Sequence, residues 1–174
     1  LGTFAIERRV VVGFHDIPPQ LRNAVVAVED EDFWKHIGVN LWRVPSAAIS
    51  NLRSGRKGQG FSTLTMQLSR VLFLTPEKTY ERKVKEIILA FQIEKNFTKE
   101  EIFTLYCNQV YFGHGNYGVE ATSQFLFDKS IKDLTLAEAA TRLPVKILIW
   151  NGSPFLFPPL RRTVEATRDE LREL

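Results

Sequence analysis

The chain has 174 residues, 44% of them hydrophobic, which is enough for one sizeable core and no reason to expect a second independent domain. Lys and Arg exceed Asp and Glu by 23 to 20, a net charge of +3; this mild basic bias suits an anionic partner such as a phosphate or a membrane surface, and nucleic acid is not indicated. The single Cys107 excludes an internal disulfide framework, and a lone thiol in an apolar helical pattern reads as a small core residue. No stretch reaches the roughly 18 to 20 uncharged apolar residues of a membrane-spanning helix, and the N-terminus lacks the plan of a signal peptide, so the chain as written is expected to be soluble. Thirteen Phe and three Trp are many for this size. A Phe-rich core accounts for most of them, and the rest suit an aromatic groove or a lipid-facing surface.

Residues 4 to 14 are β-branched and closed by Gly13, which predicts one short strand or hairpin arm. Everything after Asp16 reads helical. Pro18-Pro19 marks a helix start, and Leu21, Val25 and Val28 recur at helical spacing up to the acidic run Glu29-Asp30-Glu31-Asp32. Glu29 falls at the C-terminal end of that helix, where the macrodipole disfavours an anion and is expected to raise its pKa, a tuning that suits a base. Trp42 to Arg53 predict a second amphipathic segment stopped by Gly55, and Arg56 to Gly60 a flexible basic loop. Ser62 is the expected cap of a helix running to about Leu74. The longest periodic run, Pro76 to about Asn96, is expected to bury Val84, Ile87, Ile88, Phe91 and Ile93. Thr98-x-x-Glu101 and Thr135-x-x-Glu138 are capping boxes. Between them a glycine-interrupted loop, Tyr111 to Gly118, leads into a helix over 119–127.

The spacing carries chemistry. Arg82 and Glu86 lie four apart and share a helix face with Lys83 beside them; an exposed ion pair is the plain alternative. On the preceding helix Ser62, Gln67 and Arg70 can converge near a helix N-terminus whose N–H groups point outward. Together Arg70, Arg82 and Lys83 would hold a diphosphate, facing Glu29 as a base. Glu86 among these cations would orient them or help a divalent ion such as Mg²⁺ or Mn²⁺ bridge the diphosphate. His15, His36 and His114 are scattered and read as structural, and no Cys/His metal-ligand spacing occurs.

Five motifs follow one another in the chain: Glu29-Asp30-x-x-Phe33-x-x-His36-x-Gly38; Gly58-Gln59-Gly60-x-Ser62-Thr63-Leu64-Thr65-x-Gln67-Leu68; Arg82-Lys83-x-x-Glu86; Tyr106-x-Asn108-x-x-Tyr111-Phe112-Gly113-x-Gly115-x-Tyr117-Gly118-Val119-Glu120-Ala121; and Leu134 to Ala140. With these, the stretch from about Ile17 to Ala140 resembles the peptidoglycan glycosyltransferase domain of class A penicillin-binding proteins and monofunctional transglycosylases. The resemblance implies a mainly α, lysozyme-like helical domain with a short N-terminal β segment. It implies one domain over 1–174: an arm at 1–15, a helical catalytic region at 16–140, and a divergent segment at 141–174.

By the same resemblance Glu29 is the general base and Glu86 a second catalytic carboxylate, while Gln59, Ser62, Gln67, Arg70, Arg82 and Lys83 bind substrate. The reaction implied is polymerisation of lipid II by inverting transfer, at the outer face of a bacterial cytoplasmic membrane, with release of undecaprenyl diphosphate. The partners implied are lipid II, the growing glycan and the membrane surface, with a fused transpeptidase domain an option for the whole protein. Leu41, Trp42 and Val44 beside Arg43 are either a membrane-contacting lip or core residues. Three positions depart from the family's usual residues: Phe61 for Gly, Met66 for Gln, and Arg70 for Lys. A lysozyme-like muramidase and a catalytically silent glycan- or lipid-binding module are the competing readings.

Overall fold

The structure is a computed structural model that describes residues 8–40, 62–75, 77, 79–135 and 138. Helix α1 (Pro19–Glu29) opens with proline in its first turn, where φ is preset and no amide proton is needed, and buries Leu21, Val25 and Val26. Val28, expected inward, is 54% exposed, because it lies in the last turn, where the chain leaves the core for the acidic loop.

Helix α2 (Leu64–Phe73) buries six consecutive residues, Leu64 to Ser69, so it is surrounded on all sides at its N-terminal half. Its buried polar groups are each engaged: the Thr65 hydroxyl donates to Glu94 Oε1 at 2.6 Å and the Ser69 hydroxyl to the Met66 carbonyl at 2.9 Å. Its cap is Thr63, whose hydroxyl accepts from Met66 N–H, and not Ser62 as the sequence suggested.

Helix α3 (Tyr80–Asn96) starts at Thr79, whose hydroxyl accepts from Arg82 N–H at 3.1 Å. The side it buries matches the expectation only in part. Glu86, Ala90 and Ile93, spaced four and three apart, face inward, whereas Val84, Ile88 and Phe91 are 56%, 52% and 37% exposed. Of the residues expected inward, Ile93 is buried and Ile87 packs partly buried against Val39, Met66 and Ala90, while apolar periodicity missed Glu86 because the inward stripe contains a carboxylate. Helix α4 (Lys99–Gln109) has the expected capping box, with Thr98 N–H donating to Glu101 Oε2 at 2.7 Å.

The segment expected to be a loop is a hairpin. Strands β2 (Tyr111–Gly113) and β3 (Asn116–Tyr117) pair antiparallel, and β1 (Arg8–Arg9) pairs parallel to β3 with Arg8 opposite Asn116. Among the described residues this strand ends at Arg9, before the Gly13 limit that the β-branched sequence suggested, and a 3₁₀ turn follows at Phe14–Asp16; residues 1–7 lie outside the described residues. Asn108 ties the arm to α4 as a backbone mimic: Val12 N–H donates to its Oδ1 at 3.0 Å and its Nδ2 donates to the Val12 carbonyl at 2.8 Å. Helix α5 (Val119–Phe127) follows, and its buried Glu120 accepts from Ile131 N–H at 2.9 Å at a second 3₁₀ turn, Ile131–Asp133. The Thr135–Glu138 box is closed by Thr135 N–H on Glu138 Oε2 at 2.9 Å.

The main core joins Ile17, Leu21, Val25 and Phe33 to Leu64, Leu68, Ile102, Phe103, Cys107 and Ile131. Cys107 is wholly buried, and burial pushes its thiol far up, so it is a packing residue as expected. A smaller cluster of Val39, Met66 and Ala90 fixes the loop after α1 onto α2 and α3. The amphipathic segment at 42–53, the basic loop at 56–60 and the divergent segment at 141–174 lie outside the described residues. Among the described residues, no helix is long and apolar enough to cross a membrane.

That loop approaches α3 at Gly38, whose φ is +94° and whose added Cβ would stand 2.9 Å from the Ala90 carbonyl oxygen. Both conformation and space demand glycine. Gly38→Ala is expected to lower stability by about 2 to 4 kcal/mol, read from denaturant unfolding; an unchanged midpoint would contradict the close approach.

Candidate functional site

Glu29 is the last residue of α1 and is partly buried. From the facing helix, Gln67 Nε2 donates to Glu29 Oε2 at 3.2 Å. This amide donor orients one oxygen of the carboxylate from α2.

The next residue sets that geometry. Asp30 is 1% exposed and points inward, where its Oδ2 accepts from Leu64 N–H at 2.9 Å and from His36 Nε2 at 2.8 Å. Gly38 N–H in turn donates to His36 Nδ1 at 3.1 Å, so the ring's single proton belongs on Nε2 and is aimed at Asp30. Asp30 therefore acts as an added cap on α2, a negative charge at the positive end of a helix. With Leu64 N–H spent on Asp30 and Met66 N–H on Thr63, the N-terminus of α2 is capped from within the protein. The expectation that its N–H groups face a ligand does not hold for those two.

The cations do converge. Glu86 on α3 is fully buried, and Lys83 Nζ donates to its Oε2 at 2.9 Å, while Arg82 and Arg70 place guanidinium nitrogens 3.4 and 3.8 Å from Oε1. The surface ion pair considered as the plain alternative is thus excluded for Arg82 and Glu86. Lys83 Nζ also donates to the Ser62 hydroxyl at 2.8 Å, which brings Ser62 to the edge of the cluster. Arg70, Arg82 and Lys83 retain side-chain exposures of 13%, 13% and 24%, so they seal Glu86 from solvent and form the cluster's outer face. Three cations and one carboxylate leave a net charge of two positive. Arg82 Nε is buried and has no hydrogen-bond acceptor. Burial lowers the proton affinity of both Arg70 and Lys83, and Glu86 opposes that effect.

Glu86 is already held by cations, and among the described residues no group of three or more His, Cys, Asp and Glu side chains gathers. Gln59, Leu41, Trp42 and Val44 lie outside the described residues. Sequence reasoning did not single out Asp30, Thr63 and Tyr106, although all three stand inside the motifs. For Asp30 the available signal was its position directly after the proposed base, followed by a His six residues on.

The Transglycosylase family model matches residues 1–162. The chain belongs to the transglycosylase family. The match begins before and continues past the motif-bearing stretch. Penicillin-binding protein 1A of Aquifex aeolicus is 46% identical over 157 residues, covering 90% of this chain and 22% of that protein. Penicillin-binding protein 1F of Bacillus subtilis is 41% identical over 152 residues, 87% of this chain and 21% of the relative, and penicillin-binding protein 1A of Neisseria gonorrhoeae is 44% identical over 140 residues, 80% and 18%. This transglycosylase chain thus spans about a fifth of the length of these curated relatives. Of its departures, Met66 is fully buried against Val39 and Ala90, so it alters packing without removing a group from the cleft. Phe61 lies outside the described residues.

Lys83 gives this candidate site a pH dependence. Its ammonium is charged below its pKa, which is lowered by burial, so binding of an anion should weaken as pH rises, beginning below the range of an ordinary lysine near about 10.4. Calorimetric titration of the protein with inorganic diphosphate is expected to show this decline, and Lys83→Arg to flatten it.

Proposed function

We propose that this chain polymerises lipid II. Glu29 takes the proton from the acceptor sugar's 4-hydroxyl as that oxygen attacks the anomeric carbon of the donor. The carbon–oxygen bond to the lipid diphosphate breaks, its electron pair leaves with the diphosphate, and the anomeric centre inverts without a covalent sugar–enzyme intermediate. Arg70, Arg82 and Lys83 stabilise the leaving diphosphate, and Gln67 orients the base. Glu86, sealed behind the cations, orients them and does not touch substrate.

The observation that carries this reading is the cation cluster around buried Glu86. Its net charge matches that of a diphosphate esterified at both ends, and the buried Arg82 Nε is a donor in search of an acceptor. A muramidase acting on neutral glycan has no use for such a cluster and is not favoured. A silent binding module is disfavoured because the Glu29–Gln67 contact and the cluster coexist on facing helices. The whole protein is proposed to work at the outer face of the cytoplasmic membrane, with Leu41, Trp42 and Val44 as a lipid-contacting lip and a transpeptidase domain in the length this chain does not span.

In an assay with labelled lipid II and the full-length protein, Glu29→Gln is expected to lower turnover by about 10² to 10⁴ with the fold unchanged. Near-normal polymerisation would remove Glu29 from the mechanism. Arg82→Ala is expected to weaken binding of a diphosphate-lipid analogue by about 1.5 to 3 kcal/mol, measured by fluorescence titration; equal affinity would mean that Arg82 serves only Glu86.

A further inference from the structure

Glu94, on the C-terminal half of α3, is a carboxylate taken largely out of water that the proposed chemistry does not use. Its side chain is 9% exposed, and its Oε1 accepts from the Thr65 hydroxyl of α2 at 2.6 Å and from Lys99 Nζ of α4 at 2.7 Å. The loop that follows Glu29 covers it, since a Cβ added at Gly38 would stand 2.9 Å from Glu94 Cγ. A buried ion pair of this kind adds little net stability, because desolvation of the two charges offsets their attraction. What it fixes is geometry. Thr65 and Gln67 are two residues apart on α2, about 200° around the helix, so the side chain that bonds Glu94 and the one that bonds Glu29 leave α2 on opposite sides. Rotation of α2 about its axis moves both.

We propose that Thr65 and Glu94 are positioning residues for the base: their bond sets the rotation of α2, and through it the 3.2 Å contact from Gln67 Nε2 to Glu29 Oε2. The inference rests on the reading of Glu29 as the base and Gln67 as its orienting partner. The bonds from Leu64 N–H to Asp30 and from Met66 N–H to Thr63 run along the helix axis, because backbone N–H groups point that way, and so they resist rotation weakly. Further along α2 the Ser69 hydroxyl lies closer to the Met66 carbonyl of its own helix, 2.9 Å, than to the Glu86 carbonyl of α3, 3.3 Å, so Thr65 makes the shorter sideways bond. Lys99 fixes the acceptor from α4, and its ammonium lies 4.6 Å over the Phe33 ring in the acidic loop. Thr65 and Glu94 act through Gln67 and not on substrate. A misplacement of about 1 Å at a reacting group costs on the order of 10²-fold in rate, so a small rotation of α2 is enough to matter.

Thr65→Val keeps the shape and removes the donor. In the full-length protein with labelled lipid II it is expected to lower kcat by about 5- to 30-fold with KM changed by less than about 3-fold, and Thr65→Ser, which restores the hydroxyl, to recover kcat to within about 3-fold. Placed on Gln67→Ala, the same Thr65→Val change is expected to lower kcat by less than about 2-fold, because the contact it acts through is already gone. Wild-type kcat in Thr65→Val, no recovery in Thr65→Ser, or an equal loss in both backgrounds would overturn the proposal, the last by showing that the bond serves only the fold. Thr65→Ala, which sets no extra apolar bulk beside the carboxylate, is read in the same way if Thr65→Val does not fold. Glu29→Gln, run in parallel, separates the two readings. If it still polymerises, the site has been misread; if it is inactive while Thr65→Val turns over like the wild type, only the positioning role fails.

Discussion

Most of the site depends on one buried carboxylate that takes no part in the chemistry. Asp30 joins the end of α1 to the start of α2 by accepting from Leu64 N–H, and His36 holds it there from the loop side. A charge this far from solvent is tolerable only with such partners: the helix terminus supplies a positive potential and the ring a directed proton. The adjacent residue, Glu29, then has little freedom, because its backbone is fixed by the same turn that fixes Asp30. The distance from Glu29 to Gln67 is set by this tie and not by the contact between those two side chains.

Glu86 organises the opposite wall by the same principle with the charges reversed. Removing a carboxylate wholly from water is expensive, and three cations around it recover that energy only if each is within a few ångströms. The result is a fan of positive groups around one carboxylate, in which Lys83 hydrogen-bonds Oε2 while Oε1 and Arg82 Nε are buried without a hydrogen-bond partner. Like charges so close together repel, and this repulsion is relieved when a dianion arrives. Ligand binding should therefore stabilise the fold as well as fill the site.

How much of this was legible in the sequence depended on whether local chemistry or tertiary packing decided the outcome. The capping boxes at Thr98 and Thr135, the proline start of α1 and its end at Glu29 were readable, because each is settled within four residues. The convergence of Arg70, Arg82, Lys83 and Glu86 was also readable, since helical spacing fixes the last three and the motif order suggested the first. The buried stripe of α3 was readable only in part. Ile93 was expected inward and is buried, but Val84 and Ile88 score as core in any apolar pattern, and the pairing of Glu86 with Arg70, Arg82 and Lys83 explains why a stripe that carries a carboxylate turns inward. The hairpin at Tyr111–Tyr117 was hidden by its glycines, which read as a loop while supplying the positive φ values its turn requires. The cap of α2 fell on Thr63 and not on its neighbour Ser62 because Lys83, distant in sequence, claims the serine.

Cys107 is the chain's one thiol, and its complete burial in the last turn of α4 has a practical reach. A thiol that neither ionises nor meets solvent is inert to oxidants, to alkylating reagents and to exchange with other disulfides. The native chain is in effect cysteine-free for any reagent in solution. A cysteine introduced on the exposed row of α3, at Val84 or Ile88, would be the single reactive position, and a dye attached there would report on the surroundings of that face without any change to the core.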